Sequence, residues 1–432
     1  MKPVKMRHLL ALALPAIASA LLNNFYRVID QFAVQWLGTP AQAAIGSSTF
    51  ILIAFYALFM VVSAGTGPMI GRAVGAKDPN KITTIIGNST LLMLITGLIY
   101  SLGLIFGAPL MAEWVGLSNN TATAFITYLE TLGYFGLFIA FGPLIDSIFI
   151  AAGDTKTPMW LQLGSTMLNA LLNYLLIYTL ELGIAGAAMA SGISRGVTSL
   201  MGFILIIRKY NISWQVNEIA SKIIRVGAPM AGGTLMYALV YWGLLRWTIS
   251  PLGPEVNAAL GIGFSALEGV SWPLYAGVMM AVSSLIGRQL GANDLEGTKE
   301  TIRLAVPMAT GLGLSCALIF WFGSELLCGF FTPDAAVLKE AILYAQILAF
   351  SQVFVAYEAT FEGILGGAGH NDYQLWLSVP LNIIRIPLAY LLALSMGYGA
   401  AGVWWAINIT TLVKALGKGL LVRHGTWRHI KL

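Results

Sequence analysis

The sequence predicts an all-α membrane protein, with twelve transmembrane helices arranged as two six-helix bundles related by a pseudo-two-fold axis along the membrane normal. Three observations predict it. Of 432 residues, 57% are hydrophobic and 10% charged, against about 25% charged in an ordinary soluble domain. Apolar runs long enough to cross a bilayer, which takes about 20 residues, recur from one end of the chain to the other. Comparing the chain with itself half a length apart brings loop onto loop. Short strands of alternating polarity, the mark of an outer-membrane barrel, are absent.

The spans are expected at 9–37, 44–70, 83–110, 122–150, 159–180, 184–208, 223–249, 257–285, 301–328, 337–366, 374–396 and 400–423. The basic start MKPVKMRH leads into the run Leu9 to Leu37. That run is too long for a signal peptide and lacks a small-residue cleavage site, so it reads as a retained first helix. Alternate connections differ in charge. One set, with both ends, carries Lys2, Lys5, Arg7, Arg72, Lys77, Lys81, Lys156, Arg208, Lys209, Arg288, Arg423 and Lys431 among its bases; the other carries one base, Lys339, with acids such as Glu113, Glu181, Glu255 and Asp334. Cytoplasmic loops hold the Lys/Arg excess. A multi-pass protein of the cell inner (cytoplasmic) membrane follows, with both termini cytoplasmic. The +5 net charge is then topological, and no nucleic-acid partner is expected.

Cys316 and Cys328 fall in or beside apolar segments and suit buried thiols. No His/Cys/carboxylate cluster has metal-ligand spacing, and no G-x-x-x-x-G-K-[ST] phosphate loop occurs, so ATP is not the direct energy source. No cofactor and no enzymatic activity are expected.

An offset of 216 residues, half the length, exposes the repeat. Ile70-Gly71-Arg72-Ala73-Val74-Gly75-Ala76-Lys77-Asp78 faces Ile286-Gly287-Arg288-Gln289-Leu290-Gly291-Ala292-Asn293-Asp294. Gly153 faces Gly369, Tyr174-Leu175-Leu176 faces Tyr390-Leu391-Leu392, and Gly183 and Gly186 face Gly399 and Gly402. With one residue of drift, 37–46 faces 252–261. Six spans per half make the halves parallel repeats, the form in which secondary transporters enclose a site that opens alternately to each side. The expected division is an N-terminal bundle at 1–208, a cytoplasmic linker at 209–222 and a C-terminal bundle at 223–432.

With these residues in place the chain resembles the multidrug and toxic compound extrusion (MATE) family along its whole length. The resemblance rests on Pro15 and Asp30 in the first helix with Leu37-Gly38 after it, on the loops IGRAVGAKD and IGRQLGAND, on AGDTKTP at 152–158, and on GIAGAAMAS at 183–191. It implies a six-plus-six bundle that exports organic cations in exchange for Na⁺ or H⁺. The chain looks more like the prokaryotic DinF-like members than the NorM-like ones, because 223–249 lacks the acid carried there by the latter.

Ionisable groups inside a membrane cost about 2.5–3.5 kcal/mol on insertion scales, so those retained are functional candidates. Asp30 lies seven residues from the outer end of helix 1, about 10 Å deep. Asn173 lies at the same depth in helix 5, Asn169 one turn deeper on its face, and Ser191 seven residues into helix 6. This set could hold Na⁺ at Asp30, Asn169 and Asn173, or pass a proton. By resemblance these four positions match the family's N-terminal cation site. The chain departs from it at Asn173, where archaeal-type members have Asp, which leaves the coupling ion open. The bland alternative pairs Asp30 with Arg27 on the same helix.

Glu130, Glu268 and Glu358 are candidates for a substrate cavity, or for partners of Arg195, Arg246 and Arg385. Asp146 and Glu362, equivalent at offset 216, suit pairing at helix ends or a gate. Trp242 and Trp272 are candidate cavity walls. Pro15 and Pro229 fall at matching places in helices 1 and 7, and Pro15 is a candidate hinge, a static kink being the other reading. The function expected is a monomeric antiporter for amphipathic, cationic small molecules, working by alternating access in the lipid bilayer. The alternative is a lipid-linked precursor or polysaccharide flippase, which would use the internal arginines as a basic cavity.

Overall fold

The computed structural model describes residues 5–117, 119–210, 212–214, 217–332 and 334–428. Lys2, Lys431 and linker residues 211, 215 and 216 lie outside them. The described chain is helical, without strands. Its first half comprises α1 (Met6–Ala33), α2 (Thr39–Gly75), α3 (Pro79–Val115), α4 (Asn119–Gly133), α5 (Gly136–Ala151), α6 (Lys156–Asn173) and α7 (Gly183–Lys209). The second half continues with α8 (Glu218–Leu244), α9 (Pro254–Ile262), α10 (Gly269–Gly291), α11 (Leu295–Phe322), α12 (Ser324–Gly329), α13 (Ala335–Ala349), α14 (Gln352–Gly367), α15 (Val379–Tyr390) and α16 (Gly399–His424).

Among the described residues nine helices are long and apolar enough to cross a bilayer, and two bent pairs, α4/α5 and α13/α14, bring the number to eleven. The remaining expected span, 159–180, is α6 with the π-helical turn Tyr174–Thr179 after it. Gln162, Ser165, Thr166, Asn169 and Asn173 lower its hydropathy. This less apolar span carries two of the four candidate site residues, Asn169 and Asn173. Large apolar side chains such as Phe106, Trp114 and Phe322 are more than 70% exposed, a surface suited to lipid rather than water.

Local chemistry repeats between the halves. Asp78 and Asp294 cap α3 and α11 by accepting from the backbone N–H of Lys81 and Gly297. Left-handed backbone recurs at Lys77 and Asn293 (φ 56° and 55°), Gly153 and Gly369 (89° and 88°), and Gly183 and Gly399 (both 58°). The α4/α5 pair bends by 63° and the α13/α14 pair by 57°. A Cβ on Gly186 would lie 2.9 Å from the Leu176 carbonyl oxygen, and one on Gly402 2.6 Å from the Leu392 carbonyl carbon. Each contact seats a helix on the π-helical stretch before it, Tyr174–Thr179 or Leu391–Ser395.

The chain forms two compact units, one of Ala18–Ala231 and one of Met1–Ile17 with Gly232–Lys431. Thus α1 and α8 each belong to both units, changing over just past Pro15 and Pro229. The first unit centres on Phe59, Tyr100, Ile85 and Phe125, with the Phe59 and Tyr100 rings 4.9 Å apart. The second centres on Trp404 and Tyr344, 4.8 Å apart edge to face. Cys316 and Cys328 are buried free thiols.

Candidate functional site

Asp30, near the C-terminal end of α1, is held by three neutral donors from two other helices. Asn169 and Asn173 stand four apart on α6, hence on one face, and each donates Nδ2 to Oδ1 of Asp30 at 2.9 Å. Ser191 of α7 donates its hydroxyl to Oδ2 at 2.7 Å. Asn173 also donates to Oδ1 of Asn169 at 3.2 Å. Asn169, Asn173 and Ser191 are buried, and Asn173 Oδ1 has no partner. The four residues singled out by depth in the sequence do come together.

Why the chain folds this way is visible nearby. Asn173 ends the α-helical part of α6, and the wider turn after it sends the Tyr178 hydroxyl to the Ala33 carbonyl at 2.5 Å, tying α6 to the end of α1. Wide turns of this kind are frequent at functional sites. Arg27 is exposed and forms no ion pair with Asp30. Among the described residues Asp30 therefore has hydrogen-bond partners but no salt-bridge partner.

One turn further along, the Tyr26 hydroxyl shares a 2.8 Å hydrogen bond with Ser194 and reaches the Ser191 carbonyl at 3.3 Å. The Arg195 guanidinium lies 4.4 Å from the centre of the Tyr26 ring. Beyond it is a small cavity of about 100 Å³ lined by Asn23, Tyr56, Asp146, Gln162, Ser165 and Arg195 among others. On another side, Phe25, Phe32, Tyr174 and Tyr178 wall an apolar crevice of about 680 Å³, with Asn173 in its lining.

The other candidates occupy different surroundings. Glu130 on α4 is partly buried and joins no ion pair among the described residues. Glu268, in the second unit, accepts from the Tyr344 hydroxyl at 2.5 Å. Glu358 accepts from Lys414 and Lys418, each at 2.9 Å, and Lys418 also holds Glu362. Its partners are these lysines and none of the three internal arginines. Arg385 is 2% exposed; it donates to Thr410 at 2.9 Å and lies over the Tyr241 ring at 5.9 Å. Arg246 is exposed in the turn after α8, and Trp242 and Trp272 are 58% and 48% exposed. Lys414 and Lys418 escaped the sequence reading. The signal was present: two bases four apart in α16 match two acids four apart in α14, one charged face for another.

A profile of the MatE family matches residues 15–175 and 229–391, both halves of the repeat. The chain belongs to this family. It is therefore a multi-pass membrane transporter of the multidrug efflux class, moving small molecules, and not an enzyme. Among its relatives is the "Probable multidrug resistance protein NorM" of Thermotoga maritima, 23% identical over 98% of this chain and 93% of the relative. Another is the "Multidrug export protein MepA" of Staphylococcus saprophyticus, 24% identical over 95% and 92%. In fold the MATE chain resembles a solved MATE protein in the straight conformation, with a TM-score of 0.91 and 22% identity over 98% and 97% of the two chains. It also resembles a MOP superfamily transporter from Pyrococcus furiosus, described as having a binding pocket of reverse polarity suggestive of a different function, with a TM-score of 0.90 and 21% identity over 99% and 100%.

Proposed function

We propose that the protein is an antiporter that exports amphipathic cationic organic compounds in exchange for Na⁺ or H⁺, with Asp30 as the coupling group. The observation that carries this is a membrane carboxylate held by three neutral donors and no fixed cation. A fixed base would neutralise it permanently; neutral donors leave its charge available to a mobile cation. The set suits either ion. Hard cations take oxygen ligands, and Asp30, Asn169 Oδ1, Asn173 Oδ1 and Ser191 supply them once the amides turn. The unpartnered Asn173 oxygen favours that turn. On this reading the termini face the cytoplasm, the protein acts as a monomer in the inner membrane, and α1 flexes at Pro15 to open and close the site. Glu130, Glu268, Trp242 and Trp272 would contact substrate.

One observation favours the flippase reading: Arg195 lines a polar cavity and has no ion-pair partner among the described residues. Against it, Arg385 is buried on Thr410 and Tyr241, and both lysines are answered by glutamates. The test is reconstituted transport under separate Na⁺ and H⁺ gradients, with a cationic and an anionic substrate side by side. Cation export that stops with Asp30→Asn is the expected result. Export that survives both this substitution and collapse of the two gradients would overturn the coupling assignment.

A further inference from the structure

The small polar cavity lies inward of the Asp30 site. Asn23 precedes Asp30 by seven residues on α1 and Ser199 follows Ser191 by eight on α7, offsets of about 10 and 12 Å along their helices. Both line the cavity, as does Asp146 near the inner end of α5. The volume of about 100 Å³ and the polar lining give room and partners for several waters. Between this cavity and Asp30 stand the Tyr26–Ser194 hydroxyl pair and the Arg195 guanidinium. Arg195 lines the cavity with Asp146 and forms a salt bridge with neither Asp146 nor Asp30.

We propose that this cavity is an inward proton outlet, in which Asp146 receives the proton that Asp30 releases and Arg195 bars metal cations from the same route. The inference rests on Asp30 being the coupling group and narrows the coupling ion to H⁺. A metal ion leaving inward through this cavity would have to pass a fixed positive charge in a small polar space, the device by which pores exclude cations. A proton need not travel as an ion past that charge, because hydroxyls and waters relay it, each accepting one proton and giving up its own. The Ser191 hydroxyl donates to Asp30, while the Ser191 carbonyl only accepts, from Tyr26 and Ser194, and carries no proton, so the route needs a water between the Ser191 hydroxyl and the Tyr26–Ser194 pair. The Tyr26–Ser194 bond can run in either direction. The balance is one proton lost by the Asp30 carboxyl and one gained by the Asp146 carboxylate, which returns it to cytoplasmic water. The titratable or charged groups near Asp146 are Tyr56 of α2 and Arg195 of α7, and those near Asp30 are Tyr26, Tyr128 and Arg195.

The test is efflux of ethidium from proteoliposomes under a pH gradient alone or a Na⁺ gradient alone, with internal pH followed by a trapped dye. Wild type should respond to the pH gradient only. Asp146→Asn should slow pH-driven efflux by about tenfold or more without changing ethidium affinity. Arg195→Gln should gain Na⁺-driven efflux, and Arg195→Lys, which keeps the charge, should not. Thermal unfolding of each variant separates these effects from misfolding. Na⁺-driven efflux by wild type, wild-type rates for Asp146→Asn, or a folded Arg195→Gln without Na⁺ response would each overturn the proposal. If Asp30→Asn keeps gradient-driven efflux, the coupling reading itself fails. If Asp30→Asn is inert while Asp146→Asn behaves as wild type, only the outlet fails.

Discussion

Removing the charge of Lys418 should be among the most damaging single changes in the second unit. Lys418 is 1% exposed and bonded to both Glu358 and Glu362, whose side chains are each 13% exposed; Lys414, 8% exposed, supplies the second positive charge. Two acids and two bases cancel. Lys418→Met keeps most of the side-chain volume and leaves the cluster one negative charge in excess. Breaking one partner of a buried pair costs about 3–5 kcal/mol, since the remaining charge is uncompensated. For a unit near 200 residues, 1 kcal/mol shifts the midpoint by about 2–4 °C. A fall of roughly 10 °C is expected. Adding Glu362→Gln restores neutrality, leaves Glu358 with Lys414, and should recover most of the loss. The protein carries its own probe, because Cys316 and Cys328 are free and buried and a thiol-reactive dye will label them only on unfolding. A Lys418→Met midpoint within about 1 °C of wild type, or a double variant no better than the single one, would refute the reasoning.

Asn173→Asp adds a second carboxylate beside Asp30, and Na⁺ should then raise the unfolding temperature at concentrations about tenfold lower than in wild type, since charge count tunes affinity for hard cations. An unchanged Na⁺ dependence would count against this geometry. Gly227→Ala would place a Cβ 1.9 Å from the Val61 carbonyl oxygen, so it should destabilise by about 1–3 kcal/mol or more, whereas Gly311→Ala, with nothing within 4 Å, should be neutral or stabilising; the thiol-dye melt compares them. Tyr344→Phe keeps the ring against Trp404 and deletes the donor to Glu268. A loss of about 1.5–3 kcal/mol is expected for removing a donor to a carboxylate, and a wild-type melt would refute it.

The sequence made the repeat legible because turn and cap chemistry is local. A glycine needed at positive φ and an aspartate needed at an N-cap must each recur wherever the same turn recurs, as Gly153 with Gly369 and Asp78 with Asp294 do. The Asp30 set was legible by counting, since helical rise converts sequence offset into depth. The breaks inside α4/α5 and α13/α14 were not, because no proline marks them. In the first half Gly133 and Gly136 let the chain bear on α3, where a Cβ on Gly136 would lie 2.5 Å from the Ser101 hydroxyl oxygen. That is a packing property of two helices. The lysine pair was missed for another reason. Its partners lie 56 to 60 residues away, and a base within an apolar run shows its face only when the facing helix is known.

The two halves can now be compared residue by residue at the depth of the proposed coupling site. Tyr26 faces Tyr241 and Ser194 faces Thr410, and in each unit the tyrosine ring lies under a guanidinium. The guanidinium has a different origin in each. In the first unit it is Arg195 of α7. In the second it is Arg385 of α15, at the position equivalent to Asn169, with its Nε already on Thr410. Asp30 faces Leu245 and Asn173 faces Ala389. Where the first unit sets a carboxylate among neutral donors, the second sets a fixed positive charge and removes the carboxylate. A mobile cation that neutralised Asp30 would have no counterpart to neutralise in the second unit, because that place already holds a permanent cation. On the proposed mechanism, then, the first unit can change charge state at the Asp30 position during transport, and at the equivalent position the second unit keeps the charge of Arg385 throughout.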